Sequence, residues 1–124
     1  MKNVYFACSI RGGGDMSQYQ RIADAVKSAG STLLSEVFVN DALQYGGSPL
    51  PEAEIYARDI AWIKQADAII AEVTNPSLGV GYELAYAEQL GKPILCLFAA
   101  SSDKKLSAMV RGNPYVSIID YDKT

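Results

Sequence analysis

A glutamate stands on the apolar side of a predicted helix within the stretch PSLGVGYELAYA. Val80, Leu84 and Ala87 have the spacing of a buried helical face, and Glu83 lies three residues after Val80 and four before Ala87. A charged group on such a face loses its hydration, which is costly unless the group is paired or used. Glu83 could face a pocket and act as a nucleophile, or it could simply stabilise the start of the helix.

A second carboxylate occupies the apolar stripe of the preceding predicted helix. Asp59 follows Ile55 by four residues and precedes Ile63 by four, so the three side chains share one face. Asp59 could serve chemistry there, or it could be a buried partner of Arg11 or a backbone cap. Tyr5 lies in the first apolar run, where a tyrosine usually packs in the core and its buried hydroxyl needs a partner.

Two glycine-containing stretches are candidates for anion binding. In SIRGGGDMSQY, glycines could aim backbone N–H groups at an anion, while Ser9 and Arg11 could add a hydroxyl and a guanidinium. The stretch is not a Walker loop, and Ser17 replaces the third glycine of the dinucleotide fingerprint, so it could also be only a tight connection. The second candidate is Ser77 with the predicted turn at 79–81, at a helix N-terminus that favours negative charge.

Five apolar runs and the helical segments between them must position these residues. The runs cover 4–8, 32–38, 68–73, 94–98 and 116–119, and the helical segments cover 16–29, 52–66, 80–90 and 104–110. This alternation predicts one doubly wound α/β domain over residues 1–124, with a five-stranded parallel sheet. Ligands of such folds bind beyond the carboxyl ends of the strands, and the irregular stretch 40–51 is long enough to cover a site.

The composition disfavours several classes of function. The formal net charge is −3 and the longest run of basic residues is a Lys-Lys pair, which argues against nucleic-acid binding. No apolar stretch is long enough to span a bilayer and no signal-peptide pattern is present, so we expect a cytosolic protein without a membrane partner. The absence of histidine removes His-dependent triads and zinc sites, and we expect no metal or cofactor. Cys8 and Cys96 are predicted to be buried free thiols.

Four stretches of the chain resemble the 2'-deoxynucleoside 5'-monophosphate N-glycosidases of the nucleoside 2-deoxyribosyltransferase superfamily. They are YFACSIRGG, RDIAWIKQADAIIAEVTNPSLGVGYELAYA, KPILCLF and LSAMVRG, in the order that the family has them. Members of that family are homodimeric flavodoxin-like proteins that break the bond between base and sugar in a nucleoside monophosphate. The resemblance therefore implies a deoxynucleoside 5'-monophosphate substrate and a homodimer.

The resemblance also implies roles for individual residues. Glu83 matches the nucleophile that attacks C1' and forms a glycosyl-enzyme, which water then hydrolyses. Asp59 matches the acidic residue that positions the sugar and assists transfer at the base, and Tyr5 matches the tyrosine beside both. Ser107 matches a serine contributed by the neighbouring subunit. The full substrate-binding set that the resemblance implies is Ser9, Ile10, Arg11, Gly12, Gly13, Ser77, Gly79, Ser107 and Met109.

Three other functions stay open at this stage. A deoxyribosyltransferase would pass the sugar of an unphosphorylated nucleoside to a second base. The candidate phosphate-binding residues argue against this function, because its substrate has no phosphate; they are Ser9, Arg11, Ser77 and Ser107. A ribonucleotide N-glycosidase would need room for a 2'-hydroxyl beside Tyr5. A non-catalytic nucleotide-binding module would not need two inward carboxylates. The chain departs from many relatives at Val37, where they place a histidine, and at Gly14, where they often have a basic residue.

Overall fold

The computed structural model describes residues 2–10, 15–36 and 49–122. Five strands and four helices lie wholly within these ranges. The strands are β1 (Asn3–Cys8), β2 (Thr32–Leu33), β3 (Ala68–Glu72), β4 (Ile94–Ala99) and β5 (Ser117–Tyr121). The helices are α1 (Met16–Ser28), α2 (Glu52–Gln65), α3 (Leu78–Gln89) and α4 (Ala108–Arg111). Arg11, Gly12, Gly13 and positions 40–48 of the predicted covering stretch lie outside the described residues.

The strands form one parallel sheet in the order β2-β1-β3-β4-β5. This order confirms the predicted five-stranded parallel sheet and is the flavodoxin-like arrangement, in which β1 and β3 flank the point where the strand order reverses. In the β1 and β3 pairing, Tyr5 lies beside Ile69 and Cys8 lies beside Glu72. The chain segments that follow β1 and β3 therefore leave the sheet at neighbouring places, where a ligand site is expected.

The core lies on both faces of the sheet. Tyr5 belongs to the cluster shared with α2 and α3, whereas Phe6 belongs to the cluster shared with α1. This division follows from the alternation of side chains along a strand. Cys8 and Cys96 are buried and free, as predicted. Among the described residues no helix is long and apolar enough to cross a membrane, and the cytosolic location stays a prediction.

The second strand is shorter than predicted. The predicted run over 32–38 contains β2 only at Thr32–Leu33, and a turn follows it. Ser35 explains this end, because its Oγ accepts a hydrogen bond from the Phe6 N–H at 3.0 Å and donates to the Phe6 carbonyl at 3.1 Å. A side chain thus occupies the two backbone groups of Phe6 that a continued β2 would need.

Two helix boundaries also differ from the sequence prediction. The predicted helix over 104–110 is the short α4, which begins only after Ser107. The helix predicted over 80–90 begins earlier, at Leu78, so Gly79 belongs to the helix and not to a turn. The glycines that have positive φ within the described ranges are Gly30 and Gly91, which follow the ends of α1 and α3.

Candidate active site

Glu83 is held by the hydroxyl of Tyr5. Tyr5 is in the middle of β1 with 1% of its surface exposed, and its hydroxyl donates a hydrogen bond to Glu83 Oε2. Glu83 is half-buried on α3, where Val80, Leu84 and Ala87 pack into the core. The structure therefore confirms that Glu83 points inward. Its role as a nucleophile stays a prediction.

Asp59 lies beside the same tyrosine but is paired with a cation of its own helix. Arg58 Nε donates to Asp59 Oδ1 at 3.1 Å, and each of the two side chains is 16% exposed. The Arg58 guanidinium carbon is 4.6 Å from the centre of the Trp62 ring, which in turn lies 6.3 Å from the Tyr5 ring. Among the described residues, Arg58 is thus a cationic partner of Asp59. The alternative that the sequence offered, Arg11, lies outside the described residues.

The sequence interpretation missed Arg58, although a signal for it exists. Residues four apart on a helix face each other, so an arginine four residues before a tryptophan can stack on its ring. Arg58 and Trp62 have this spacing on α2. Stacking on Trp62 holds the Arg58 guanidinium next to Asp59. That Arg58 and Asp59 are adjacent in sequence does not by itself predict this contact.

Burial raises the pKa of both carboxylates. The pKa of Glu83 rises to about 7, first because of burial; the negative charge of Asp59 adds to the rise, and the Tyr5 hydrogen bond opposes it. Burial also raises the pKa of Asp59, against the opposing effects of the Arg58 hydrogen bond and charge and of the Tyr5 hydroxyl. The pKa of Tyr5 is raised by its burial and by the adjacent Glu83 and Asp59 charges, so its hydroxyl remains a donor at neutral pH.

The sequence predicts that Glu83 lies in the first turn of its helix, where the N-terminus would keep it ionised, and this prediction is wrong. Glu83 is the sixth residue of a helix that begins at Leu78, so it lies in the second turn and not in the first. The field of a helix terminus falls off within the first turn, and desolvation then dominates. Burial therefore moves the titration of Glu83 into the neutral pH range.

The serines predicted to bind phosphate lie at the ends of β1 and β3. Ser9 directly follows β1, is 1% exposed, and its Oγ has no hydrogen-bond partner within the described part of the chain. Ile10 packs against the cluster between β1 and α1. Ser77 caps α3, since its Oγ accepts from the Val80 N–H at 3.2 Å, and Gly79 is exposed in the first turn.

Ser107 and Met109 lie at the start of α4, on the other side of α3 from the carboxylates. Ser107 is exposed and caps α4 through the Met109 N–H at 3.2 Å, and Met109 itself is 84% exposed. A cleft of about 660 Å³ between α3 and the α4 segment is lined by Ser77, Ser107 and Met109 but not by Glu83. The sequence gives no evident reason for Ser107 to approach the Ser77 turn within one chain, but the structure places both residues along the same cleft.

A buried glutamate at the end of β3 fixes the turn that leads to α3. Glu72 accepts hydrogen bonds from the Thr74 N–H at 2.7 Å, from Thr74 Oγ1 at 2.9 Å, and from the Tyr121 hydroxyl of β5. Thr74 Oγ1 also accepts from the Ala99 N–H of β4 at 2.8 Å. The ends of three strands are thereby joined beneath the Ser77 turn. Among the described residues no group of three or more His, Cys, Asp or Glu side chains could hold a metal ion.

The flavodoxin-like sheet, with two inward carboxylates beside the point where its strand order reverses, is typical of α/β proteins that bind a ligand at the carboxyl ends of their strands. A sequence profile of the nucleoside 2-deoxyribosyltransferase family matches residues 4–115. The chain belongs to this family, as its sequence predicted.

Two named relatives are 43% and 49% identical to the chain over the aligned residues. It is 49% identical over 113 residues to a 5-hydroxymethyl-dUMP N-hydrolase of Mus musculus, which covers 89% of the chain and 65% of the mouse protein. It is 43% identical over 120 residues to a Syntrophotalea carbinolica protein that is provisionally named as a 2'-deoxynucleoside 5'-phosphate N-hydrolase, with coverages of 96% and 84%. These relatives identify the chain as a glycosidase that hydrolyses N-glycosyl compounds.

Solved structures agree on the fold. The chain aligns with the CMP N-glycosidase of Clostridium botulinum at a TM-score of 0.70, over 98% of the chain and 91% of that protein, with 22% identity. At this identity the similarity shows the α/β fold and carries no conclusion about the substrate.

Proposed function

We propose that the chain hydrolyses the N-glycosidic bond of 2'-deoxynucleoside 5'-monophosphates to free base and 2-deoxyribose 5-phosphate, through a covalent glycosyl-enzyme on Glu83. One observation carries the proposal: a half-buried carboxylate receives the Tyr5 hydroxyl hydrogen bond next to a second carboxylate, Asp59. A packed core would exclude such a pair, because each buried charge is costly. The names of the relatives support the substrate class.

The chemistry would proceed in two displacements. The Glu83 carboxylate attacks C1', the C1'–N bond breaks, and its electron pair leaves with the base, which takes up a proton. In this scheme Asp59, whose pKa is raised by burial, assists at the base. Water then attacks C1' and releases the carboxylate, as in glycosidases that form a covalent intermediate.

Tyr5 would serve the nucleophile in this scheme. Its hydroxyl fixes one oxygen of Glu83 and leaves the other oxygen for attack on C1'. Because Tyr5 is fully enclosed on β1, its ring cannot move aside for a larger sugar. This favours a deoxyribose over a ribose, and so disfavours a ribonucleotide substrate.

The serines support a phosphate on the substrate. Ser9 offers a buried hydroxyl without a partner among the described residues, and Ser77 stands at the N-terminus of α3. Because β1 and β3 are neighbours in the sheet, the two serines follow adjacent strand ends, where a phosphate would find hydroxyl and backbone donors. We assign Arg11, Gly12 and Gly13 to the same phosphate site on the family resemblance alone.

A homodimer would complete the site. Leu78 is 97% exposed and Met109 is 84% exposed, and these large apolar side chains both line the cleft beside α3. Apolar side chains gathered on one surface favour a protein partner. In our proposal this partner is a second copy of the chain, and Ser107 of each copy reaches the phosphate in the neighbouring site.

The decisive experiment is to incubate the protein with each deoxynucleoside 5'-monophosphate and to detect free base by chromatography. We expect base release that Glu83→Gln abolishes, while nucleotide affinity changes by less than about tenfold, since the amide keeps the shape but cannot attack C1'. Mass spectrometry with a slowly reacting 2-fluoro sugar analogue should show an adduct on Glu83. An active Gln variant would rule out the nucleophile.

A deoxyribosyltransferase is the second candidate, because the family profile carries that name. The two reactions separate when a second free base is added to the assay with an unphosphorylated nucleoside. We expect faster reaction with the nucleotide and no exchange of bases. Equal rates on nucleoside and nucleotide, with transfer to the second base, would favour the transferase.

A further inference from the structure

Within the described ranges, Arg58 is a cation that lies beside the Tyr5, Glu83 and Asp59 cluster. Two contacts fix its guanidinium plane, namely the Nε bond to Asp59 at 3.1 Å and the stacking on Trp62 at 4.6 Å. These contacts leave the far end of the guanidinium for a further partner. A stacked and paired arginine is pre-organised, so it loses little freedom when it binds a ligand.

One nitrogen of Arg58 lacks an acceptor. Its Nη2 is buried and has no hydrogen-bond partner within the described part of the chain. A buried N–H of a charged group is costly to leave unpaired, and such groups in folded proteins usually have a partner. A ligand that carries a hydrogen-bond acceptor into the site would satisfy it.

The position of Arg58 indicates which part of a nucleotide it would meet, and this step rests on the proposed function. Ser77 caps α3 and Glu83 comes six residues later, about 9 Å along the helix at about 1.5 Å per residue. With a phosphate near Ser77 and C1' at Glu83, the base would extend beyond Glu83 toward the adjacent α2. Asp59 and Arg58 occupy that side of the site.

We propose that Arg58 is a base-recognition residue whose Nη2 donates a hydrogen bond to a carbonyl oxygen of the nucleotide base. A guanidinium has five donors and no acceptor, so it pairs with a carbonyl and not with an amino group. When the glycosidic bond breaks, negative charge spreads from the base nitrogen onto the base carbonyls. A charge-assisted hydrogen bond to such an oxygen strengthens as the bond breaks, and thus favours both recognition and departure of the base.

Binding measurements test this without hydrolysis, in a protein that carries Glu83→Gln. The ligands are dUMP and its 2-thio and 4-thio analogues, because sulfur in place of either carbonyl oxygen is a weak acceptor. We expect one of the two analogues to bind about tenfold more weakly than dUMP. Adding Arg58→Met should weaken dUMP binding by about 10- to 100-fold, since a charged hydrogen bond is lost. The three ligands should then bind with equal affinity.

Two further variants separate recognition from a structural role. Lys64→Met removes an exposed cation from the same helix and should leave the three affinities unchanged. Arg58→Lys keeps the positive charge for Asp59 but has no Nη2, and we expect it to lose the discrimination between oxygen and sulfur. Thermal unfolding of each variant shows whether it is folded.

Three results would overturn the assignment of Arg58. The first is equal affinity of the Glu83→Gln protein for dUMP and both thio analogues, and the second is no measurable binding of dUMP by that protein. The third is an unchanged ratio of dUMP affinity to thio-analogue affinity in a folded Arg58→Met or Arg58→Lys variant. The first two measurements need no Arg58 variant, so they apply even where Arg58→Met fails to fold. Absence of base release by the wild-type protein would instead contradict the proposed hydrolysis. Weaker binding of one thio analogue than of dUMP would still support the assignment of Arg58 as a base-recognition residue.

Discussion

Glu83→Gln should stabilise the folded protein at neutral and alkaline pH. Burial raises the pKa of Glu83 from 4.5 to about 7, so the folded state favours the protonated carboxyl more than the unfolded chain does. As the pH rises above 4.5, the unfolded state loses its proton first and the folded state becomes relatively less stable. This loss grows until the pH passes about 7 and is then complete.

The size of the effect follows from the pKa shift. At about 1.4 kcal/mol per pKa unit, a rise from 4.5 to about 7 corresponds to about 3 kcal/mol of lost stability at pH 8. Glutamine has nearly the same shape and no charge, and its carbonyl can still accept the Tyr5 hydrogen bond. Glu83→Gln should therefore increase the free energy of unfolding by about 2–3 kcal/mol at pH 8 and by almost nothing at pH 4.5.

Urea denaturation at a series of pH values between 4.5 and 8 measures this difference. Glu54→Gln is the matched control, because Glu54 is exposed in the first turn of α2 and its loss should cost less than about 1 kcal/mol. The reasoning is refuted if Glu83→Gln is no more stable than the wild type at pH 8. It is also refuted if a stabilisation persists unchanged at pH 4.5.

Three further predictions concern the site and its supports. Tyr5→Phe removes the hydrogen bond that lowers the pKa of Glu83, so the acid limb of kcat/KM should move upward from about pH 7 by roughly one unit or more. Refolding a mixture of Glu83→Ala and Ser107→Asp chains should restore about a quarter of the wild-type activity, because half of the random dimers are heterodimers with one intact site of two. Tyr121→Phe should lower the free energy of unfolding by roughly 1–3 kcal/mol in urea denaturation, since buried Glu72 loses a donor.

Each of these expectations has a contradicting outcome. An unmoved or lowered acid limb in Tyr5→Phe would show that its hydroxyl does not support ionised Glu83. No recovery of base release, with heterodimers confirmed by native mass spectrometry, would show that Ser107 does not serve the neighbouring site. An unchanged urea midpoint in Tyr121→Phe would mean that the bond to Glu72 does not contribute to stability.

The sheet was predictable because its strands are short, continuously apolar and separated by amphipathic helices. Such strands are stable only between two helical layers, which fixes the α/β class and the parallel sheet. The end of β2 was not predictable in the same way. It depends on Ser35 binding the backbone of Phe6, a contact between residues 29 positions apart.

The orientation of the carboxylates could also be predicted from local spacing. Helical periodicity places Glu83 on the buried side of α3 without any knowledge of its neighbours. The start of that helix was predicted two residues too late, because Gly79 and Gly81 suggested a turn. Ser77 caps the helix earlier, and glycine is tolerated within a helix although it costs stability.

The sequence by itself determined the family, the sheet and the inward direction of Glu83 and Asp59, because these follow from patterns within short segments. Only the tertiary structure decided that Tyr5 donates to Glu83 and that Arg58, stacked on Trp62, pairs with Asp59. It also decided that burial, and not the helix terminus, controls the pKa of Glu83. Desolvation and charge act through space, so their balance at a residue depends on groups that distant parts of the chain bring to it.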